Sequence, residues 1–292
     1  MPLARIACLL AVLTTAAHAN DLPPGAAGMK PTFSETFDGP LFWCSEHCSG
    51  EKWRTKYHHS GNSPLSRGLG MTGTESEVYM DTRYLDLGIS PFRIKDHTLT
   101  ILAEPASEEV KQAIAKAYPA GWTEPRHVPK FTSGAITTEP SFSQLYGYFE
   151  ARIKVSNVVG AWPAFWLYQN EGDEIDIMEV LGGRPTQQNM SVHWYLPGQH
   201  TQVPPPNGQG TKMDAADLSA DFHTYGVRWT DKQITYYFDD KAVAEYANEA
   251  LHRPMYILLN LAMDGDWNKK LGYIAKPDAH AQISIQYVRA YQ

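Results

Sequence analysis

Residues 172–183 read GDEIDIMEVLGG. Four acidic side chains, Asp173, Glu174, Asp176 and Glu179, sit in an otherwise apolar run. In a β-strand, side chains alternate between the two faces. Glu174, Asp176 and Met178 would then share one face, and Ile175, Ile177 and Glu179 the other. That would bury the Glu179 carboxylate among aliphatic groups, an expensive arrangement. One extra residue removes the conflict. A β-bulge near Met178 returns Glu179 to the face of Glu174 and Asp176. The stretch predicts a bulged strand with one apolar face and a ridge of three carboxylates on the other.

Such a ridge repels itself, so its members share protons. A neighbouring negative charge raises the pKa of a carboxyl. Two carboxyls in different protonation states are what retaining glycoside hydrolysis needs, one to attack and one to donate a proton, about 5–5.5 Å apart. A solvated strand face or a calcium site would also fit these residues taken alone.

The flanking runs supply company for the ridge. AWPAFWLYQ (161–169) places Trp162, Trp166 and Tyr168 on one face of a strand. NMSVHWYL (189–196) places Asn189, Ser191, His193 and Tyr195 on one face and apolar residues on the other. Aromatic rings offer platforms for sugar faces or fill cores, and the polar groups can bind hydroxyls.

Further out, short strand-like runs alternate with turn residues: HTLTILAE, YGYFEARIKV, HTYGVRW, QITYYFDD, MYILLNLAM and ISIQYVRAYQ. This spacing predicts an all-β antiparallel sandwich or barrel. Two segments interrupt it. SEEVKQAIAKAY (107–118) has Val110, Ile114 and Ala117 at helical spacing and reads as an amphipathic helix in an insertion. Residues 197–221 are rich in Pro and Gly and read as a long surface loop.

The chain has 292 residues, 43% of them hydrophobic, and a formal charge of −7. Residues 1–19 carry one basic residue, Arg5, then an apolar run and Ala17-His18-Ala19. That is the pattern of a secretory signal, which leaves a single domain at 20–292 that is secreted or periplasmic. Losing Arg5 takes −7 to −8. An acidic balance gives no reason to expect affinity for nucleic acid or an anionic membrane surface. No later apolar run spans a bilayer. In an oxidising compartment, Cys44 and Cys48 read as a local disulfide, with free thiols or a metal site as the other readings. The protein is expected to be a monomer.

The motifs together resemble the retaining endo-glycanases of glycoside hydrolase family 16. EIDIME (174–179) matches the family's bulged signature E-[ILV]-D-x-x-E. FTSGAITT (131–138), YGYFEARIKV (146–155), WPAFWL (162–167), HTYGVRWTDKQITYYFDD (223–240), MYILLNLAMDGDW (255–267) and ISIQYVRAYQ (283–292) follow in the family's order. The resemblance implies a β-jelly-roll sandwich of two antiparallel sheets with a concave substrate cleft. It implies Glu174 as nucleophile, Glu179 as general acid then base, and Asp176 as the residue that tunes the nucleophile. Trp162 and Trp166 are implied as sugar platforms, His193 as a polar cleft residue and Trp267 as an aromatic at the cleft edge. TESEVYM (74–80) stands where laminarinase-like members carry NNELQYY; Glu77 matches the family glutamate and is expected to touch substrate, while Ser76 replaces an Asn. Gln286 stands where an acidic residue often holds a structural calcium, so no cofactor is expected, with a structural calcium as the other reading. The implied substrate is a polysaccharide, first a β-1,3- or mixed β-1,3-1,4-glucan, then a galactan such as agar or a bacterial exopolysaccharide. A non-catalytic carbohydrate-binding jelly roll would keep the tryptophans and need neither glutamate.

Overall fold

The computed structural model describes residues 22–41, 43–44, 51–57, 67–69, 75–117, 128–196, 199–203 and 211–292. The signal segment and the Cys44–Cys48 linkage lie outside the described residues.

The chain runs through β1 (Pro31–Glu35), β2 (Trp43–Cys44), β3 (Trp53–Arg54), β4 (Glu77–Tyr79), β5 (Phe92–Lys95) and β6 (Thr98–Pro105). Helix α1 (Glu108–Ala117) follows, then β7 (Phe131–Ser133), β8 (Ala135–Thr137), β9 (Gly147–Lys154), β10 (Ala161–Tyr168), β11 (Glu174–Glu179) and β12 (Gln187–Leu196). After them come β13 (Gln199–Val203), β14 (Thr211–Asp214), β15 (His223–Trp229), β16 (Gln233–Phe238), β17 (Lys241–Ala247), β18 (Tyr256–Met263), α2 (Gly265–Lys270) and β19 (Ala281–Tyr291).

Two sheets form. One runs β17-β16-β15-β9-β19-β6-β7-β4, with β1 beside β19 and β5 beside β6. The other runs β13-β12-β11-β10-β18-β8-β3-β2, with β14 also beside β12. Alternation explains how they stack. Phe149, Ala151 and Ile153 of β9 point inward, as do Phe165 and Leu167 of β10 and Leu259 and Leu261 of β18, all in one buried cluster. This is the jelly-roll sandwich, and every long strand-like run of the sequence becomes a strand in it.

The two interruptions fare differently. The helix forms as expected, and Val110 and Ile114 pack on Val78, Met80 and Tyr84 in a separate cluster behind β4. Residues 197–221 are not simply a loop. They contribute β13 and β14, which pair with the far and near halves of β12 along one edge. Pro and Gly between the two strands masked their short alternating patterns; pairing covers an edge that would otherwise expose unpaired backbone groups.

The first sheet buries a carboxyl on its outer side. Glu150 of β9 is 1% exposed, and the Tyr148 hydroxyl donates to its Oε2 at 3.2 Å. Burial pushes its pKa up to about 7, against the nearby Arg289 guanidinium and the Tyr148 hydrogen bond, which pull it down. A pKa raised in the fold means stability that is full below the unfolded value of 4.5 and lost as pH rises through 7. This group should cost the wild type about 3 kcal/mol between pH 4.5 and pH 8. Glu150→Gln removes that titration. Denaturant melts at both pH values are expected to show a smaller loss in the variant; an equal loss in both proteins would rule out the buried carboxyl as its source.

Candidate active site

Strand β11 lies between β10 and β12, with β18 beyond β10. Against β10, Phe165 faces Met178 and the next residue, Trp166, faces Asp176. Against β12, Asp176 faces Ser191 and Glu179 faces Asn189. The extra residue is therefore at Ile177–Met178, and both side chains are fully buried in the core. The bulge's displaced Ile177 carbonyl accepts a hydrogen bond from Gln188 Nε2 at 3.0 Å. The expected register shift is present, and Glu174, Asp176 and Glu179 share the outer face.

These three carboxyls open onto a pocket lined also by Tyr57, Glu75, Trp162, Ala164, Trp166, Asn260 and Ala262. Asp176, 4% exposed, sits in the middle. Ser191 Oγ donates to its Oδ2 at 2.5 Å, and His193 Nε2 lies 2.9 Å from the same oxygen. Burial alone would raise the Asp176 pKa, but the bonds from His193, Glu174 and Ser191 win and hold it low. Glu174 is pushed well up by burial, then by the charge of Asp176 and the hydrogen bond between the two. Glu179 is pushed well up by burial and the Asp176 charge, opposed by a hydrogen bond from Trp162 Nε1 to Oε1 at 3.0 Å. The free site thus stores its negative charge on Asp176 and keeps both glutamates ready to hold protons. The donors of β12, Ser191 and His193, are bonded to Asp176.

The other expected residues divide. Trp162 lines the pocket, and Trp267 meets its edge with ring centres 5.5 Å apart. Trp267 and Asn189 also line an adjoining hollow with Arg184, Lys212 and Leu271, beyond Glu179 along the strand. Asn189 spends its amide donor on the backbone carbonyl of Glu179, at 3.2 Å. His193 stands behind Asp176 and is not in the pocket lining. Glu77 is corrected more sharply. It is 0% exposed, and its Oε2 accepts from the Met263 backbone N–H at 2.8 Å beneath the floor; Glu75 reaches the pocket instead. Gln286, the calcium-related position, accepts on its amide oxygen from Arg152 Nε at 2.8 Å.

Trp166 is in the lining but only 7% exposed. Its Nε1 donates to Asn260 Oδ1 at 2.8 Å, and Tyr57 and Tyr168 pack edge-on against its ring. Trp166→Ala is therefore expected to cost about 3–5 kcal/mol of folding stability, the cost of emptying a large core site. Unfolding midpoints measure this; an unchanged midpoint with weakened oligosaccharide binding would make the residue a platform alone. Asn260 and Tyr57 were not singled out from sequence. The one available signal was Asn260 itself, a lone amide in the apolar run YILLNLAM.

Known proteins resemble this chain in sequence and in fold. Residues 106–289 match the model for glycosyl hydrolases family 16. The chain belongs to glycosyl hydrolases family 16. It is 34% identical over 287 residues to "Endo-1,3-1,4-beta-glycanase EglC" of Rhizobium meliloti (strain 1021), covering 94% of this chain and 54% of that protein. It is 30% identical over 200 residues to "Beta-glucanase" of Rhodothermus marinus, covering 58% of this chain and 66% of that one. This family-16 chain spans about half the length of the first curated relatives it matches. The laminarinase catalytic domain of Thermotoga petrophila RKU-1 superposes with a TM-score of 0.66 at 21% identity, over 90% of this chain and 98% of that one. That likeness shows the shared fold.

Proposed function

We infer that this protein is a retaining endo-β-glycanase acting on internal bonds of a polysaccharide, first a β-1,3- or mixed β-1,3-1,4-glucan. The observation that carries the reading is the bulge, which brings Glu174 and Glu179 onto one open face with Asp176 between them. The glycanase and glucanase relatives support the substrate class.

The groups present suffice for two displacements. Glu174 and Asp176 are joined by a hydrogen bond. When their shared proton sits on Asp176, Glu174 is a carboxylate. It attacks the anomeric carbon while Glu179 gives its proton to the leaving oxygen, breaking the glycosidic bond and forming a glycosyl ester. Glu179, now ionised, takes a proton from water, whose oxygen attacks the same carbon and releases Glu174. Only side-chain carboxyls and water take part. The signal-like residues 1–19 support export of the mature chain from Asn20, which N-terminal sequencing of the exported protein checks. Among the described residues no helix is long and apolar enough to cross a membrane.

The test is a product profile on laminarin, lichenan, agarose and a succinoglycan-type polymer, with the anomeric configuration of the first product read by NMR. Laminarin or lichenan is expected to give oligosaccharides of retained configuration. Inverted products, or release from neither glucan, would overturn the reading.

A further inference from the structure

The indole of Trp162 is more than a wall of the pocket. Its Nε1 donates to Glu179 Oε1 at 3.0 Å, and an indole N–H can only donate. An oxygen that accepts such a bond is the carbonyl-like one in a protonated carboxyl. The backbone carbonyl of Glu179 is held separately by Asn189 Nδ2. Both ends of the residue are thus fixed, one from β12 and one from β10.

The ring that makes this bond is itself clamped. Gly265 has φ +84, and a Cβ there would lie 2.8 Å from Trp162 Cζ3. The edge of Trp267 meets the ring at 83°. The turn carrying both residues is tied to the start of β10: Asp264 N–H donates to the Gly160 carbonyl at 2.7 Å, and Asn268 Nδ2 donates to it at 3.3 Å. The Asp264 carboxylate accepts from Ser76 Oγ at 2.6 Å and from the Ala275 N–H at 2.7 Å. A ring used only as a sugar platform would need its face presented and no such fixing of its N–H.

We propose that Trp162 is a positioning residue for the acid: its N–H occupies Glu179 Oε1, so the proton delivered to the leaving oxygen is carried on Oε2. This rests on the reading of Glu179 as the acid. When Glu179 has given up its proton, the same N–H becomes a charge-assisted bond to the carboxylate, stronger than before. The bond therefore favours the ionised form, and its loss moves the carboxyl's titration upward. The other titratable groups facing this space are Tyr57, Glu75, Glu174 and Asp176, with His193 behind Asp176 and Lys212 opposite Asn189 in the next strand. A Trp162 substitution changes the charge of none of them.

The experiment compares Trp162→Phe and Trp162→His with the wild type. Glu179 is titrated directly by NMR with ¹³C-labelled glutamate carboxyls, assigned through Glu179→Gln, and kcat and KM are measured on one soluble glucan. Trp162→Phe keeps a ring and loses the donor. Its Glu179 titration is expected to move up by about one pH unit. Its kcat should fall about ten-fold, with KM changed much less. Trp162→His, which keeps a ring N–H, should recover part of both effects. A Phe variant whose Glu179 titrates as in the wild type, or one whose only change is a higher KM, would overturn the proposal and leave Trp162 a platform. Should Trp162→Phe not fold, judged by its melting curve, the His variant decides by the same titration: near-wild-type supports the donor role, and a full upward shift refutes it. The titration needs no substrate. A wild type that cleaves no glucan would therefore sink the glycanase reading separately from the hydrogen bond.

Discussion

Glu174→Gln is expected to abolish turnover, by at least about 10⁴-fold, the scale on which loss of a covalent nucleophile falls. The amide cannot form the glycosyl ester. The fold should survive, because Glu174 sits at the pocket edge of β11 and the core below it is made by Ile175, Ile177 and Met178. Removing a carboxyl whose ionised form the site disfavours should not lower the melting temperature. The roles of the two glutamates separate by chemical rescue. Azide added to Glu174→Ala should enter from the face opposite the leaving group and give a glycosyl azide of inverted configuration. Azide added to Glu179→Ala should intercept the glycosyl ester and give the retained azide. The reverse pattern would exchange the two roles, and wild-type rates in Glu174→Gln would take the residue out of the mechanism.

The second large effect belongs to Asp176. Its charge, after burial itself, is what raises both glutamates, so Asp176→Asn should let both ionise more easily. The two limbs of the kcat/KM profile are macroscopic constants of the coupled cluster. Both should move to lower pH. The acid limb moves because Glu174 reaches its attacking form sooner, and the alkaline limb because Glu179 loses its proton sooner. Neither should return to an ordinary carboxyl value, since burial remains. The rate at the optimum should fall about 10²–10⁴-fold, as expected when a group that shares and stores a catalytic proton is lost. Asn can still accept from Ser191, so the variant should fold. An alkaline limb that stays in place or moves upward in a pH–rate series would mean that Asp176 does not set the state of Glu179.

The strands of this protein are legible because alternation is a local property. The apolar faces of YGYFEARIKV, AWPAFWLYQ and MYILLNLAM state which side meets the core, whatever the partner strand is. The bulge is legible for the same reason: only an extra residue keeps Glu179 out of the apolar face, and the strand registers place it at Ile177–Met178. Short strands between prolines and glycines, β13 and β14, carry too few residues for alternation to speak, and pairing with β12 made them.

The sequence by itself determined the all-β class, the shared face of Glu174, Asp176 and Glu179, and the candidate tryptophans, because each follows from periodicity or motif within one strand; the jelly roll was implied by the resemblance to family 16. Tertiary structure alone decided what each of those groups does. Glu75 and Glu77 are two residues apart and equivalent to any local rule. The Met263 backbone N–H, brought in by β18, takes Glu77 beneath the floor and leaves Glu75 to the pocket. Trp162 and Trp166 alternate identically along β10, yet Asn260 and Tyr57 enclose one while Glu179 and the Gly265 turn engage the other. The charge rests on Asp176 because Ser191 and His193 arrive from the neighbouring strand. Hydrogen bonds and desolvation depend on distances between residues far apart in the chain, and those distances exist only once the sheets have paired.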